Sequence, residues 1–422
     1  MILDCFEVVE EHVDHTVIQQ KLNDVMTSYG LVAEQVKRIV TDGGSNVKLA
    51  VANSRLDGAW CLCHLIDLAV THTLDGAGDL MKTTMERVKD IVSFYHKSTV
   101  ATKNLRSVQR QDNEMNEFID QVYKLQEMVK TRWNSLHDMI KRMLLLYDNV
   151  NASLQQLNKR TLMLQDDEID ILTAIASILL PISQLTKILE ADKTPTAHLA
   201  LPYTIEAIES IRDWRAARED GYHRFPLTDA VARAVDDFRR KLLQELQERL
   251  STVTNDEFFK ISAFLSPKFK RMVFFQQQEL AALKRSVLRM LRGTVDTNEQ
   301  QYLQQQIQTS RPRNSLIGRY GESSEIIGGT GNDMLVAELE RYCNAIVDRQ
   351  QLDNPIQFWM DHRDAFPHLF PIAMEHLHVP MSSATAERVF SAMGRTITDL
   401  RNRLKPETAS MLVFLKDHRG NW

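Results

Sequence analysis

Apolar residues fall into distinct regimes along this chain. Residues 2–8 are β-prone with weak alternation, and Ile18, Leu22, Val25 and Tyr29 then recur at helical spacing among polar residues. Residues 36–41 read as a second strand, ended by the turn Asp42-Gly43-Gly44-Ser45-Asn46. Residues 59–63 read as one more short strand, leading into a helix from His64 to about Leu74. Strands alternating with helices predict an α/β layer.

The pattern then changes. No glycine occurs between Gly78 and Gly221, and the first proline of the chain is Pro181. Helix interiors exclude both residues, so the stretch from Asp79 to Leu180 predicts a large all-α segment. Ile171, Leu172, Ile175, Ile178 and Leu179 show the three-and-four spacing directly, and helical patterns continue over 231–250, 258–265 and 280–291. Residues 293–333 hold a glutamine cluster, Arg311-Pro312-Arg313 and Gly328-Gly329-Thr330-Gly331, and read as a mobile loop. Its glycines lack the Lys-Ser/Thr of a phosphate loop, and no internal repeat of fixed period is evident.

Composition narrows the function classes. A chain of 422 residues, 43% hydrophobic, is long enough for two or three cores. A net charge of −5 gives no global basic field, so nucleic-acid contact must come from local clusters. Those clusters are Lys159-Arg160, Lys268-Phe269-Lys270-Arg271 and Arg401-Asn402-Arg403-Leu404-Lys405; clusters of this size are usually solvated faces, and phosphate contact stays open for the last two. Four cysteines, Cys5, Cys61, Cys63 and Cys343, are too few and scattered for a disulfide framework and point to a reducing compartment. Apolar runs such as 169–180, with Asp170 inside it, fall short of a span, so no membrane partner is expected.

The C-terminal stretch from Met381 to Trp422 is the most specific. Ser382 or Ser383 can cap a helix over residues 384–393, with Gly394 as its stop and Glu387 near its start; Arg388 projects from a different face. A second helix follows Pro406, with Met411, Leu412 and Leu415 on one side, an apolar surface that must be buried in a core or against a partner. Ser382, Ser383, Ala384, Glu387, Arg388, Phe390 and Ser391, then Arg401, Arg403, Leu404, Pro406 and the 412–415 end, stand in the order and spacing of a known region. Asn354, Pro355, Phe358 and Trp359, then Pro367, Leu369, Ala373, Leu377 and Pro380, follow the same run into it. The stretch resembles the C-terminal dimerisation region of the hAT superfamily of DNA transposases and the host proteins descended from them.

That resemblance implies an RNase H-like catalytic fold interrupted by a helical insertion, and a homodimer or higher homo-oligomer held through Phe390, Leu404, Leu412 and Leu415. Asp42 sits in a stretch similar to the family motif bearing the second acid of a metal-binding triad, and Glu387 matches the third; on spacing alone Asp42 reads as a turn former. Such chemistry needs three hard carboxylates around two Mg²⁺ or Mn²⁺ ions. The first acid is expected to be missing, because Asp4 falls on what corresponds to the family's third strand and the chain reads as beginning inside the catalytic fold, without the family's BED zinc finger.

Cys61 and His64 fit the family's Cys-x-x-His element. With no second Cys/His pair nearby, structural zinc is not expected, and a position beside DNA is the alternative; Cys63 reads as a small buried apolar residue. Trp133 matches an Arg-Trp element implicated in handling a flipped base, whereas a tryptophan at a helix start by itself reads as packing. Arg388 joins Cys61, His64 and Trp133 as a candidate DNA contact.

The expected architecture is thus a truncated RNase H-like α/β core with a large all-α insertion: core over 1–75, insertion over 76–292, loop over 293–333 and dimerisation region over 334–422, which includes the last core helices. The expected function is a transposase-derived, non-catalytic nuclear protein that homodimerises and associates with DNA or chromatin. The alternatives are a fragment of an active metal-dependent transposase and a helical interaction scaffold.

Overall fold

In the computed structural model, residues 13–116, 121–129, 133–191, 194–215, 227–309, 331–396, 408 and 411–412 are described. Asp14 caps α1 (His15–Ser28) by accepting from the amides of Thr16 and Val17. β1 (Ile39–Thr41) and β2 (Gly58–Trp60) pair as a two-stranded sheet, joined by α2 (Ser45–Asn53). Ser45 and Asn46, expected in the turn, belong to α2: Gly43 takes φ of 84° and Gly44 caps the helix. The expected strand over 2–8 lies outside the described residues.

The remaining elements are helices. α3 (Leu62–Asp75) begins two residues earlier than expected, with Cys61 at its cap. It is followed by α4 (Asp79–Lys97), α5 (Thr99–Asn116), α6 (Trp133–Leu145), α7 (Tyr147–Gln156) and α8 (Asp166–Leu189). Then come α9 (Ala197–Asp213), α10 (Asp229–Arg249), α11 (Ser251–Asn255), α12 (Glu257–Leu265) and α13 (Gln277–Thr309). α14 (Gly331–Asn344), α15 (Arg349–Leu352), α16 (Pro355–Asp361), α17 (Leu369–Leu377) and α18 (Ala384–Thr396) complete the order. The described chain is mostly helical, as the long glycine-free segment predicts.

Several breaker residues failed to break their helices, Pro202 inside α9 among them. α8 runs through Pro181, where the usual cost of about 3 kcal/mol is offset by the burial of Ile171, Leu172, Ile175, Ile178, Leu179, Ile182 and Leu185. α13 runs through Gly293 and takes in residues 294–309, which the sequence reading assigned to a loop; 310–330 lie outside the described residues. α18 continues past Gly394 to Thr396. A glycine inside a helix costs only about 1 kcal/mol, less than neighbouring residues supply.

α8 also corrects the expectation that no apolar run reaches a membrane span: at 24 residues it is long and apolar enough. Its apolar face is buried against α3, α6 and α10, however, which is what a core helix does.

The chain divides into two compact units. One comprises residues 60–190 and 203–252. Here Val231, Val235, Phe238, Leu242 and Leu246 of α10, all buried, lie along the side that meets α3 and α8. Gln165 and the buried Glu168 form a capping box at the start of α8, and Arg87 pairs with Glu168 at 2.8 Å.

The other unit comprises residues 1–59, 191–202 and 253–422. Its centre is aromatic: Tyr342, Phe358, Trp359 and Phe366 surround one another. Buried Tyr and Trp need partners for their polar tips. Tyr342 Oη donates to Phe264 O at 2.8 Å, and Trp359 Nε1 donates to Leu265 O at 2.7 Å, so α14 and α16 are both fastened to the end of α12.

Candidate functional site

Asp42 lies directly after β1 and is exposed. Its Oδ1 accepts from the Gly44 amide at 3.2 Å, the local bond of a turn-forming aspartate. Glu387 lies in the first turn of α18 and is also exposed; its Oε1 accepts from Ser383 Oγ at 3.1 Å. Ser382 Oγ accepts from the Ala384 amide at 3.0 Å, so both serines named as possible caps serve the start of α18. Among the described residues no group of three or more His, Cys, Asp or Glu could hold an ion. The Asp42 and Glu387 carboxylates each make only these local bonds among the contacts described.

In the other unit, two of the elements that carry candidates are bonded to each other. Cys61 is buried at the cap of α3, and half-buried His64 stands one turn from Asp67 on the same side of the helix. Asp67 Oδ1 accepts from the Trp133 amide at 2.9 Å, which fixes the first turn of α6 against α3. The helix that carries the Cys-x-x-His element is thus tied to the start of α6 through Asp67. Its one signal was the three-residue spacing from His64. Cys63 is half-buried, its Sγ 3.9 Å from Thr186 O of α8.

Trp133 is 7% exposed, and its indole Nε1–H is buried without a hydrogen-bond partner. It borders a cavity of about 520 Å³ whose wall also carries Asp67, Lys82, Glu86, Lys89 and Met85. A buried donor left unsatisfied costs about 1–3 kcal/mol, which a ligand or water acceptor would recover.

The C-terminal candidates divide by exposure. Phe390 is 63% exposed, Met411 64% and Leu412 42%, while Arg388 is half-buried. Leu404 and Leu415 lie outside the described residues. Upstream, the region is well anchored. Asn354 Oδ1 accepts from the Gln357 amide at 3.1 Å, with Pro355 at the first position of α16 and Phe358 and Trp359 buried behind it. Glu338, 2% exposed, accepts from the amides of His368 and Leu369 at 2.9 and 2.8 Å and meets His368 Nδ1 at 2.7 Å. One carboxylate thereby caps α17.

That buried glutamate opens the stretch that matches a known family. Residues 338–418 match the hAT family C-terminal dimerisation region. Over that stretch the chain is similar to proteins of the hAT family. It is also similar to the candidate transcriptional regulator tpeD of Talaromyces stipitatus, at 22% identity over 342 residues, covering 78% of this chain. The chain spans about a third of that relative's length, 35%.

Within the matched stretch and the run that leads into it, the motif residues acquire physical roles. Asn354 and Pro355 start a helix, Phe358 and Trp359 fill the aromatic centre, and Ser382 and Ser383 start α18. Among the described residues of this stretch, Phe390, Met411 and Leu412 are exposed apolar groups near its C-terminal end.

Proposed function

We propose that this chain is a transposase-derived nuclear protein that pairs with a second copy through its C-terminal region and associates with DNA or chromatin without cutting it. The observation that carries the reading is the hAT dimerisation region over residues 338–418, folded as a buried aromatic framework that leaves Phe390, Met411 and Leu412 exposed. Exposed apolar groups of this size favour association. In this reading β1, α2, β2, α3 and α18 descend from an RNase H-like core, and the intervening helices are its insertion. DNA association is supported by the relative described as a candidate transcriptional regulator, and Cys61, His64, Trp133 and Arg388 are the residues assigned to it.

The active-transposase alternative is favoured by one observation. Asp42 and Glu387 are both retained with exposed carboxylates. Nicking of supercoiled DNA in Mg²⁺ or Mn²⁺, run beside Asp42→Ala and Glu387→Ala, separates the two readings. The proposal expects no nicking from any of the three proteins. Nicking by the parent chain that both substitutions abolish would replace it with a metal-dependent nuclease.

A further inference from the structure

The unit that holds the dimerisation region also contains a cavity of about 620 Å³ between the end of α12, the first turns of α13 and the end of α14. Lys268, Lys270, Arg271 and Lys284 line it, and among the described residues no carboxylate does; neither Asp42 nor Glu387 belongs to it. Lys268 pairs at 3.2 Å with Asp353, which stands outside the lining. Two of these cations adjoin in sequence, but Lys284 arrives from a separate helix. Folding has therefore concentrated the charge.

Lys270 is the unusual member, 8% exposed. Its Nζ donates to Tyr342 O at 3.0 Å and to Ala345 O, capping the carbonyl end of α14. An ammonium has three N–H donors, so one is left after those two bonds. Burial lowers the Lys270 pKa; the neighbouring Cys343 thiol raises it and the charge of Arg271 lowers it further. Burial likewise raises the Cys343 thiol, against the pull of the Lys284 and Lys270 charges. Asp353 and the nearby Glu340 offset part of this charge, and the cations that line the concave wall still focus a positive potential that favours an anion.

We propose that this cavity binds a phosphate group, with the Arg271 guanidinium as its forked partner and Lys268, Lys270 and Lys284 as point charges around it. The volume exceeds that of a bare ion and lies in the range of small-molecule sites. Apolar residues such as Leu280 and Ile346, the latter 96% exposed, supply the wall for whatever carries the phosphate. The carrier is either a small phosphorylated compound or a nucleic-acid strand. The site stands on the cavity itself, so dimerisation or nuclear DNA association can fail with it intact.

The test uses the full chain, Arg271→Ala, Arg271→Lys and Lys284→Ala, with folding checked by circular dichroism; Lys270 is left alone because it caps α14. Thermal midpoints are compared in inorganic phosphate, adenosine monophosphate and chloride at matched ionic strength. Near-saturating phosphate or the nucleotide is expected to raise the midpoint by about 2–4 °C over chloride. The rise should vanish in both alanine variants and be partial in Arg271→Lys. No rise in the parent chain, or an equal rise in the alanine variants, would overturn the site. A 20-residue oligothymidylate then identifies the carrier. Binding weakened in Arg271→Ala, with a salt slope lower by about 1, assigns the cavity to nucleic-acid backbone. Binding unchanged by the substitution assigns it to a small phosphorylated compound.

Discussion

The backbone amide of Trp133 donates to Asp67 Oδ1 at 2.9 Å, so α6 starts on the side of α3 that carries His64. Asp67→Ala removes a carboxylate that acts as a helix cap and is expected to cost about 1–2 kcal/mol, with Asp67→Asn costing less. Urea unfolding measures the loss, and tryptophan emission should shift to the red as Trp133 loosens. A variant as stable as the parent would show that the bond is incidental.

Arg38 is held by two carboxylates and an aromatic ring. Its guanidinium pairs with Asp57 at 2.9 Å and Asp256 at 2.8 Å and lies 4.3 Å from the Phe258 ring centre, with the side chain 7% exposed. It fastens the start of β1 to both the approach to β2 and the cap of α12. Arg38→Ala should cost about 2–4 kcal/mol, discounted because Asp57 is half exposed. Arg38→Lys loses the fork and the stacking and should fall between the two. A loss below about 0.5 kcal/mol in Arg38→Ala would mark the cluster as decorative.

Much of this was legible beforehand, and the misses have physical causes. The helices from α4 to α8 follow from apolar spacing and an absence of glycine, and the capping serines of α18 follow from side-chain chemistry. Pro181, Gly293 and Gly394 misled because breaker residues act locally, while burial acts through the whole packed face. α2 was missed because Ser45 and Asn46 suit a turn as well as a helix start. Asp67, Arg38 and Lys284 were invisible because their partners lie far away in sequence. Asp42 could be placed at a strand end, but its partners for catalysis are a matter of three-dimensional arrangement.

Acid should destabilise the fold through its buried histidines. Burial holds His198 down to about 4 from 6.5, with the Lys268 charge adding to the effect, and burial also lowers His137 and His376. The unfolded chain takes up these protons near pH 6.5, whereas the folded chain resists until well below that. Stability is therefore full above about pH 6.5 and falls as pH drops toward 4, His198 alone contributing about 3 kcal/mol across that window. Urea midpoints at pH 7.5 and 5.0 should differ accordingly, and His198→Asn should flatten the profile. Equal midpoints in the parent chain would contradict the burial argument.

Sedimentation velocity at micromolar concentration tests the central claim most directly. The parent chain should sediment at twice its 48.6 kDa mass. Phe390→Asp and Leu412→Asp should each weaken pairing by more than about 2 kcal/mol, roughly 30-fold or more, and move toward the single-chain mass with unchanged circular dichroism. A parent chain at the single-chain mass, or variants that remain paired, would contradict dimerisation through this surface.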